Sequence, residues 1–195
     1  LALGCFIYAV RKAPPYSNGT VKSPSPYYDY VVLLGCLVFI SIQGYLQFRY
    51  GWLDDNLGSS TLFTAILFFV AAYRFDHIGV LSLAITALAS FWSIQVSPQK
   101  WTSGDFIQQA NLHVTAIIFS VALALAAGAL DARGIKKHFT FTYFNFSFLI
   151  FFGGTLAALF LESDHIIYVL LTYAGSAAGY WVARKNKSFL FLFYA

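Results

Sequence analysis

Seven side chains able to bind a divalent cation or move a proton fall on one side of a series of apolar segments: Asp54, Asp55, Asp105, His113, Glu162, Asp164 and His165. Carboxylate and imidazole groups together suit hard and borderline divalent metals, and either can act as a general acid or base. The candidate metal ligands are His113, Glu162, Asp164 and His165, the last three within the tetrapeptide Glu162-Ser163-Asp164-His165. The spacing does not reach a metal signature, because the chain has no H-E-x-x-H, no H-x-x-E-H and no His pair at helical spacing. A negative outer rim needs no ligand and costs nothing in water, and it is the favoured reading. His113, near a helix start beside Asn111 and Thr115, is the member most open to a second role, as a cap for a neighbouring helix or as a ligand. No P-loop, GxSxG or dinucleotide fingerprint occurs. No catalytic residue, bound metal or cofactor is expected.

Polar groups inside the apolar segments are few. Gln43 and Gln47 lie four apart and share one face of a helix. Asn145 and Thr155 are further members. Interhelical hydrogen bonding accounts for such residues at roughly 0.6–2 kcal/mol each, against the rival reading of a polar substrate cavity. Gly175-Ser-Ala-Ala-Gly179 is a GxxxG, and Gly153-Gly154 begins a second small-residue face. Such faces let helix backbones approach closely, and packing within the bundle is preferred to homodimerisation.

The elements that position these groups are long and apolar. The 195 residues are 59% hydrophobic and 10% charged, against roughly 45–50% and ~25% in a soluble domain. A chain this poor in charge cannot cover a water-facing surface, whereas in lipid it has no need to. Six whole spans are predicted, over 28–48, 59–73, 78–96, 112–130, 139–161 and 166–182, with a partial helix at each end. Ser59 or Ser60 is the expected cap of the second, and Thr102 with Asp105 resembles a capping box before the fourth. The connection from Ala13 to Pro26, rich in Pro and Ser, reads as irregular and solvated. The fold class is therefore an all-α polytopic transmembrane bundle. Every Lys, Arg, Asp and Glu lies in a connection or within about a turn of a span end, which argues against a proton-coupled pump in this stretch.

The cations also assign a side. Of twelve Lys and Arg, Arg11, Lys12, Lys22, Arg74, Arg133, Lys136, Lys137, Arg184, Lys185 and Lys187 occupy alternate connections, and the intervening ones hold only Arg49 and Lys100. Cytoplasmic retention of positive loops produces this split. Connections near 11–27, 74–77, 132–138 and 184–187 are thus expected in the cytoplasm, and the acidic rim outside. The Asn18-Gly19-Thr20 sequon then faces the wrong side for glycosylation. The same bias explains the +4 net charge without nucleic acid as a partner. Anionic headgroups are within reach of the basic connections by topology alone. Cys5 and Cys36 sit inside apolar segments and read as small buried hydrophobes. Both end runs are too short to span the bilayer, so residues 1–195 are expected to form a single transmembrane domain internal to a longer chain.

The stretch from Phe69-Val-Ala-Ala-Tyr-Arg-Phe-Asp-His-Ile-Gly-Val-Leu-Ser-Leu-Ala84 to Leu88-Ala-Ser-Phe-Trp92 resembles the DUF2157-type bacterial membrane proteins of unknown function, which carry a similar "AYRFD" turn followed by "VLSLA". The resemblance covers about thirty residues, together with the general array of close-set spans. It implies a bacterial inner-membrane protein and brings no catalytic or binding residues with it. In that turn, Arg74 and Asp76 are expected to pair or cap.

The expected role is a non-enzymatic accessory or scaffold subunit whose partners are membrane lipids and other membrane subunits. The rivals are a carrier or channel for a neutral or lipid-like substrate, with a cavity near Gln43, Gln47, Asn145 or Thr155, and a membrane enzyme with an outer-face site. The topology makes one direct prediction. In a chain freed of Cys5 and Cys36, an impermeant thiol reagent applied to intact cells should label a cysteine at 103 and spare cysteines at 135 and 186. Labelling of the latter pair alone would invert the arrangement.

Overall fold

A computed structural model describes residues 1–51, 57–96, 112–161 and 165–194, the side chains at 57, 95 and 96 excepted. The described residues form eight helices and no strand: α1 (Ala2–Lys12), α2 (Pro26–Tyr50), α3 (Leu57–Phe75), α4 (Ile78–Val96), α5 (Leu112–Arg133), α6 (Lys137–Leu161), α7 (His165–Asn186) and α8 (Phe189–Phe193). Among them, α2, α3, α5, α6 and α7 are long and apolar enough to cross a membrane, as in a multi-pass membrane protein. The expected count of six is not confirmed among the described residues. The segment Ile78–Ile94 of α4 falls among the shorter apolar helices, because the last turn of that expected span lies at the edge of the described residues.

Local chemistry sets the helix ends. Ser25 caps α2, its hydroxyl accepting from the Tyr28 N–H at 3.3 Å, with Pro26 in the first turn where no amide is needed. Gly51 ends α2 in the left-handed region, φ 59°, and returns its N–H to Gln47 O. The α3 start differs from expectation: Leu57 and Gly58 are already helical, so Ser59 and Ser60 lie inside the helix and neither is the cap. The start expected near Thr102 and Asp105 lies outside the described residues.

Three helices that run into basic connections end alike. Asp76, Gly134 and Lys187 follow α3, α5 and α7 with positive φ. The next amides, of His77, Ile135 and Ser188, donate to Ala72, Leu130 and Ala183 O, five residues back. This is the Schellman closure, which needs a left-handed residue and normally uses Gly. Asp and Lys at two of the three positions cost of the order of 1–2 kcal/mol each, and for Asp76 that cost is offset by what its side chain reaches.

The chain divides into two compact units. The first holds 1–94 and 130–142. Within it α1 lies on α2: Cys5 Cβ would stand 3.0 Å from a Cβ at Gly35, and the Tyr28 hydroxyl donates to Ala9 O at 3.2 Å. Tyr28, Val32, Cys36, Phe68, Leu81, Ile85 and Phe139 are buried there. Cys36 is a free, fully buried thiol, and Cys5 is free and half-buried. The second unit holds 95–129 and 143–195. Its centre is Phe148, Val182, Ala183 and Phe191, with Phe144, Phe152 and Tyr194 against them. The Phe152 and Tyr194 rings stack at 5.9 Å and 7°. Small residues set the helix separation here. A Cβ on Gly154 would come within 3.2 Å of His113 O and Ala116, and a Cβ on Gly175 would overlap the Phe151 ring. Gly179 faces Phe191 O, whereas Gly153 has open space where a side chain would go.

The Gly175 contact can be tested. Gly175→Ala should lower stability in detergent by about 1–3 kcal/mol, the usual cost of overpacking. Combining it with Phe151→Leu should cost less than the two single changes added. Additivity in a thermal or denaturant titration would show that the ring does not rest on Gly175.

Candidate functional site

Of the outer-rim residues, Asp54, Asp55, Asp105, Glu162 and Asp164 lie outside the described residues. His165 is exposed at the start of α7. His113 is 4% exposed and faces α7, its Nε2 3.2 Å from the Tyr168 hydroxyl, with the rings edge to face at 5.6 Å. It caps no helix through that nitrogen and instead joins α5 to α7. Among the described residues, no three His, Cys, Asp or Glu side chains are gathered to hold a metal.

The intramembrane polar groups bond within the protein. Gln43 Nε2 donates to Ser60 Oγ at 3.2 Å, and its Oε1 accepts from Thr64 Oγ1 at 2.8 Å, joining α2 to α3. Gln47 is half-buried one turn further on. Asn145 Oδ1 accepts from the Tyr194 hydroxyl at 3.1 Å. Thr155, 1% exposed, donates to the carbonyls of its own helix at Phe151 and Phe152.

The strongest concentration of chemistry lies at the basic end of the first unit. Asp76, in the α3–α4 turn, and Lys136, in the α5–α6 turn, form an ion pair at 3.0 Å, with side chains 3% and 1% exposed. His138 Nε2 stands 2.7 Å from the same Asp76 Oδ1. The other carboxylate oxygen accepts from the Val21 N–H. Asp76 thus has a cation, an imidazole and an amide as donors, which is what makes burial of a carboxylate tolerable.

The third party is the connection from Pro14 to Val21. Arg74 Nη1 donates to Pro14 O at 2.9 Å. Lys136 Nζ lies 5.3 Å from the Tyr16 ring centre and donates to Gly19 O at 3.2 Å. The Lys136 amide donates to Asn18 O at 2.7 Å. Thr20 Oγ1 is 3.1 Å from His138 Nδ1. Ser23 then donates to Asp29 Oδ1 at 2.6 Å, one residue pair before the Ser25 cap. The connection is irregular and mostly exposed, as the sequence implies, but it is not simply a solvated linker. It is a strap laid across two helical turns and pinned along its length. His77 adds a fourth link: its Nδ1 accepts from the Val80 N–H at 3.2 Å, so its Nε2 carries the proton and donates to Asp29 O at 3.2 Å.

A hydroxyl, an imidazole and a carboxylate in series, Thr20–His138–Asp76, is also the order of an acyl-transfer relay. Two features turn it into a clamp. Lys136 already neutralises the carboxylate that would stabilise an imidazolium. The amide next to the Thr20 hydroxyl, that of Val21, is committed to Asp76, so it cannot serve a developing oxyanion.

Sequence reasoning anticipated that Arg74 and Asp76 would pair or cap at their hairpin. Instead Arg74 and Asp76 reach different partners in the strap and the α5–α6 turn. Lys136, His138, Thr20 and Val21 gave no sign of meeting Asp76. The one available signal was that all three connections carry the positive charge that assigns them to one side.

The fold and the clamp describe an all-helical protein, with helices long enough to cross a membrane, in which three basic connections of the first unit are bonded to one another. No family model matches the chain, and no curated protein or solved structure is significantly similar to it.

The clamp predicts a specific energetic pattern. Asp76→Asn and Lys136→Met should each destabilise the detergent-solubilised protein by about 3–5 kcal/mol, the penalty of stranding a buried charge or its partner. Tryptic cleavage at Lys22 should accelerate in both. The double variant should cost clearly less than the two singles added. Single-variant losses within ~0.5 kcal/mol, the range of an ordinary surface change, would remove the clamp.

Proposed function

We propose that this chain is a non-enzymatic scaffold or accessory subunit of a bacterial inner membrane, of the DUF2157 type, with the connections near 11–27, 74–77, 132–138 and 184–187 in the cytoplasm. The observation that carries the reading is that the buried ionic cluster and several polar groups of the described helices bond within the protein. Asp76, Lys136 and His138 hold a strap, and Gln43 and Asn145 join helices. Much of the exposed helix surface is apolar. Phe160, Ile166, Leu170 and Tyr173 are 83%, 76%, 63% and 73% exposed, a face suited to lipid or to another membrane helix. The mutual bonding of the three first-unit connections supports their placement on one side, and the charge bias supports the cytoplasm as that side.

A carrier or channel for a neutral or lipid-like substrate is the second reading. A recess of about 310 Å³ lined by His113, Ala116, Ile150, Gly153 and Gly154 favours it, being almost wholly apolar with one imidazole.

Photo-crosslinking residues at Ile166, Leu170 and Tyr173 separate the two. In native membranes a subunit yields a discrete protein adduct from at least one position. The purified chain in liposomes then gives no solute flux or lipid scrambling above empty vesicles. Lipid adducts alone, with flux that falls on Gly153→Leu, would replace the subunit reading with the carrier.

A further inference from the structure

The second unit carries a groove of about 280 Å³ lined by α5, α6 and α7. Its walls are aromatic and aliphatic: Phe144, Phe148 and Phe151 from α6, Val121 and Leu125 from α5, and Trp181 from α7. Two serines reach it, and neither offers a donor. Ser120 Oγ donates to Ile117 O at 2.6 Å, and Ser147 Oγ donates to Ser120 O at 2.8 Å. Gly175 leaves room for the Phe151 ring to lie against α7. The rim is open, with Leu125 70% and Trp181 64% exposed. Water has no partners in such a groove, and in hydrocarbon a flexible chain would fill it.

One end of the groove is chemically different. Trp181 lies one helical turn before Lys185, whose Nζ stands 5.6 Å from the indole centre. Tyr180 bears the same relation to Arg184, at 5.8 Å. Lys185 continues the face of α7 that carries Gly175, Ala178 and Trp181 into the groove, whereas Arg184 lines a separate recess with Lys187, Ser188 and Phe189. From Gly175 to Lys185 is ten residues, roughly 15 Å of helix, so a chain seated between Phe151 and Trp181 brings its polar end to Lys185.

We propose that this groove and Lys185 form a binding site for an anionic glycerophospholipid, an acyl chain lying along Phe144, Phe148 and Phe151 and the phosphate meeting the Lys185 ammonium. Positive charge at the end of an apolar slot is complementary to a molecule with an acid head and a hydrocarbon tail. The site rests on the membrane placement proposed above and not on the subunit role.

The test uses Trp181 as the reporter. The full chain carrying Trp52→Phe, Trp92→Phe and Trp101→Phe is placed in nanodiscs of phosphatidylcholine containing a minor fraction of bromine-labelled lipid. Brominated phosphatidylglycerol should quench Trp181 more strongly than the same fraction of brominated phosphatidylcholine. Lys185→Gln should lower the apparent preference about fivefold, and Arg184→Gln, in the neighbouring recess, should leave it unchanged. Ala124→Phe, which fills the groove, should reduce quenching by both lipids. Equal quenching by the two lipids overturns the site and leaves the membrane placement intact. A chain that stays soluble without detergent overturns the placement itself. Native mass spectrometry of the unaltered chain gives an independent reading: phosphatidylglycerol should survive delipidation on it, and loss of that lipid as readily as of phosphatidylcholine overturns the site.

Discussion

One buried carboxylate organises the first unit. Asp76 takes donors from Lys136, His138 and Val21, and through them two helical turns and a strap are joined. Its position is itself unusual, since both Asp76 and Lys136 have left-handed backbones, φ 56° and 46°. A Gly at either place would relieve the backbone and delete the side chain that the cluster needs. Removing the carboxylate alone would leave Lys136, 1% exposed, buried without its counter-charge, and a lone buried cation is far costlier than a paired one. The pair is therefore an all-or-nothing feature whose purpose is geometric: it holds three connections together at one end of the helices.

The second unit is held by different means. Its centre is stacked aromatic rings and bare glycine surfaces. In hydrocarbon there is little hydrophobic drive between helices, so close van der Waals packing has to supply the adhesion. Gly154 and Gly175 bring backbones and rings to distances that a methyl group would prevent. Ser147 to Ser120 O and His113 to Tyr168 add hydrogen bonds across helices. The groove is the remainder of this packing, the space left where large rings meet small residues.

The helices and their basic ends were legible from residue types alone. The expected ends of α1 at Lys12 and of α5 near Leu130 lie within three residues of the observed ones. The α3–α4 turn fell where Arg74-Phe-Asp-His77 placed it. Ser59 and Ser60 misled because a serine suited to capping can also sit within a helix, its hydroxyl facing other side chains, as Ser60 does toward Gln43. The strap misled for another reason. Pro and Ser announce irregular backbone correctly, but they carry no information about whether that backbone is bonded to something distant.

That difference separates what the sequence by itself determined from what only the tertiary structure decided. Apolar length determines membrane-spanning character, and the distribution of Lys and Arg sets the expectation for sidedness, because transfer free energy and charge bias sum over neighbouring residues and need no knowledge of folding partners. The meeting of Asp76 with a histidine 62 residues away, and of that histidine with a threonine 118 residues away, is of another kind. It depends on which helix ends lie side by side and on two left-handed residues that aim the side chains inward, and neither is written in any local window of the chain.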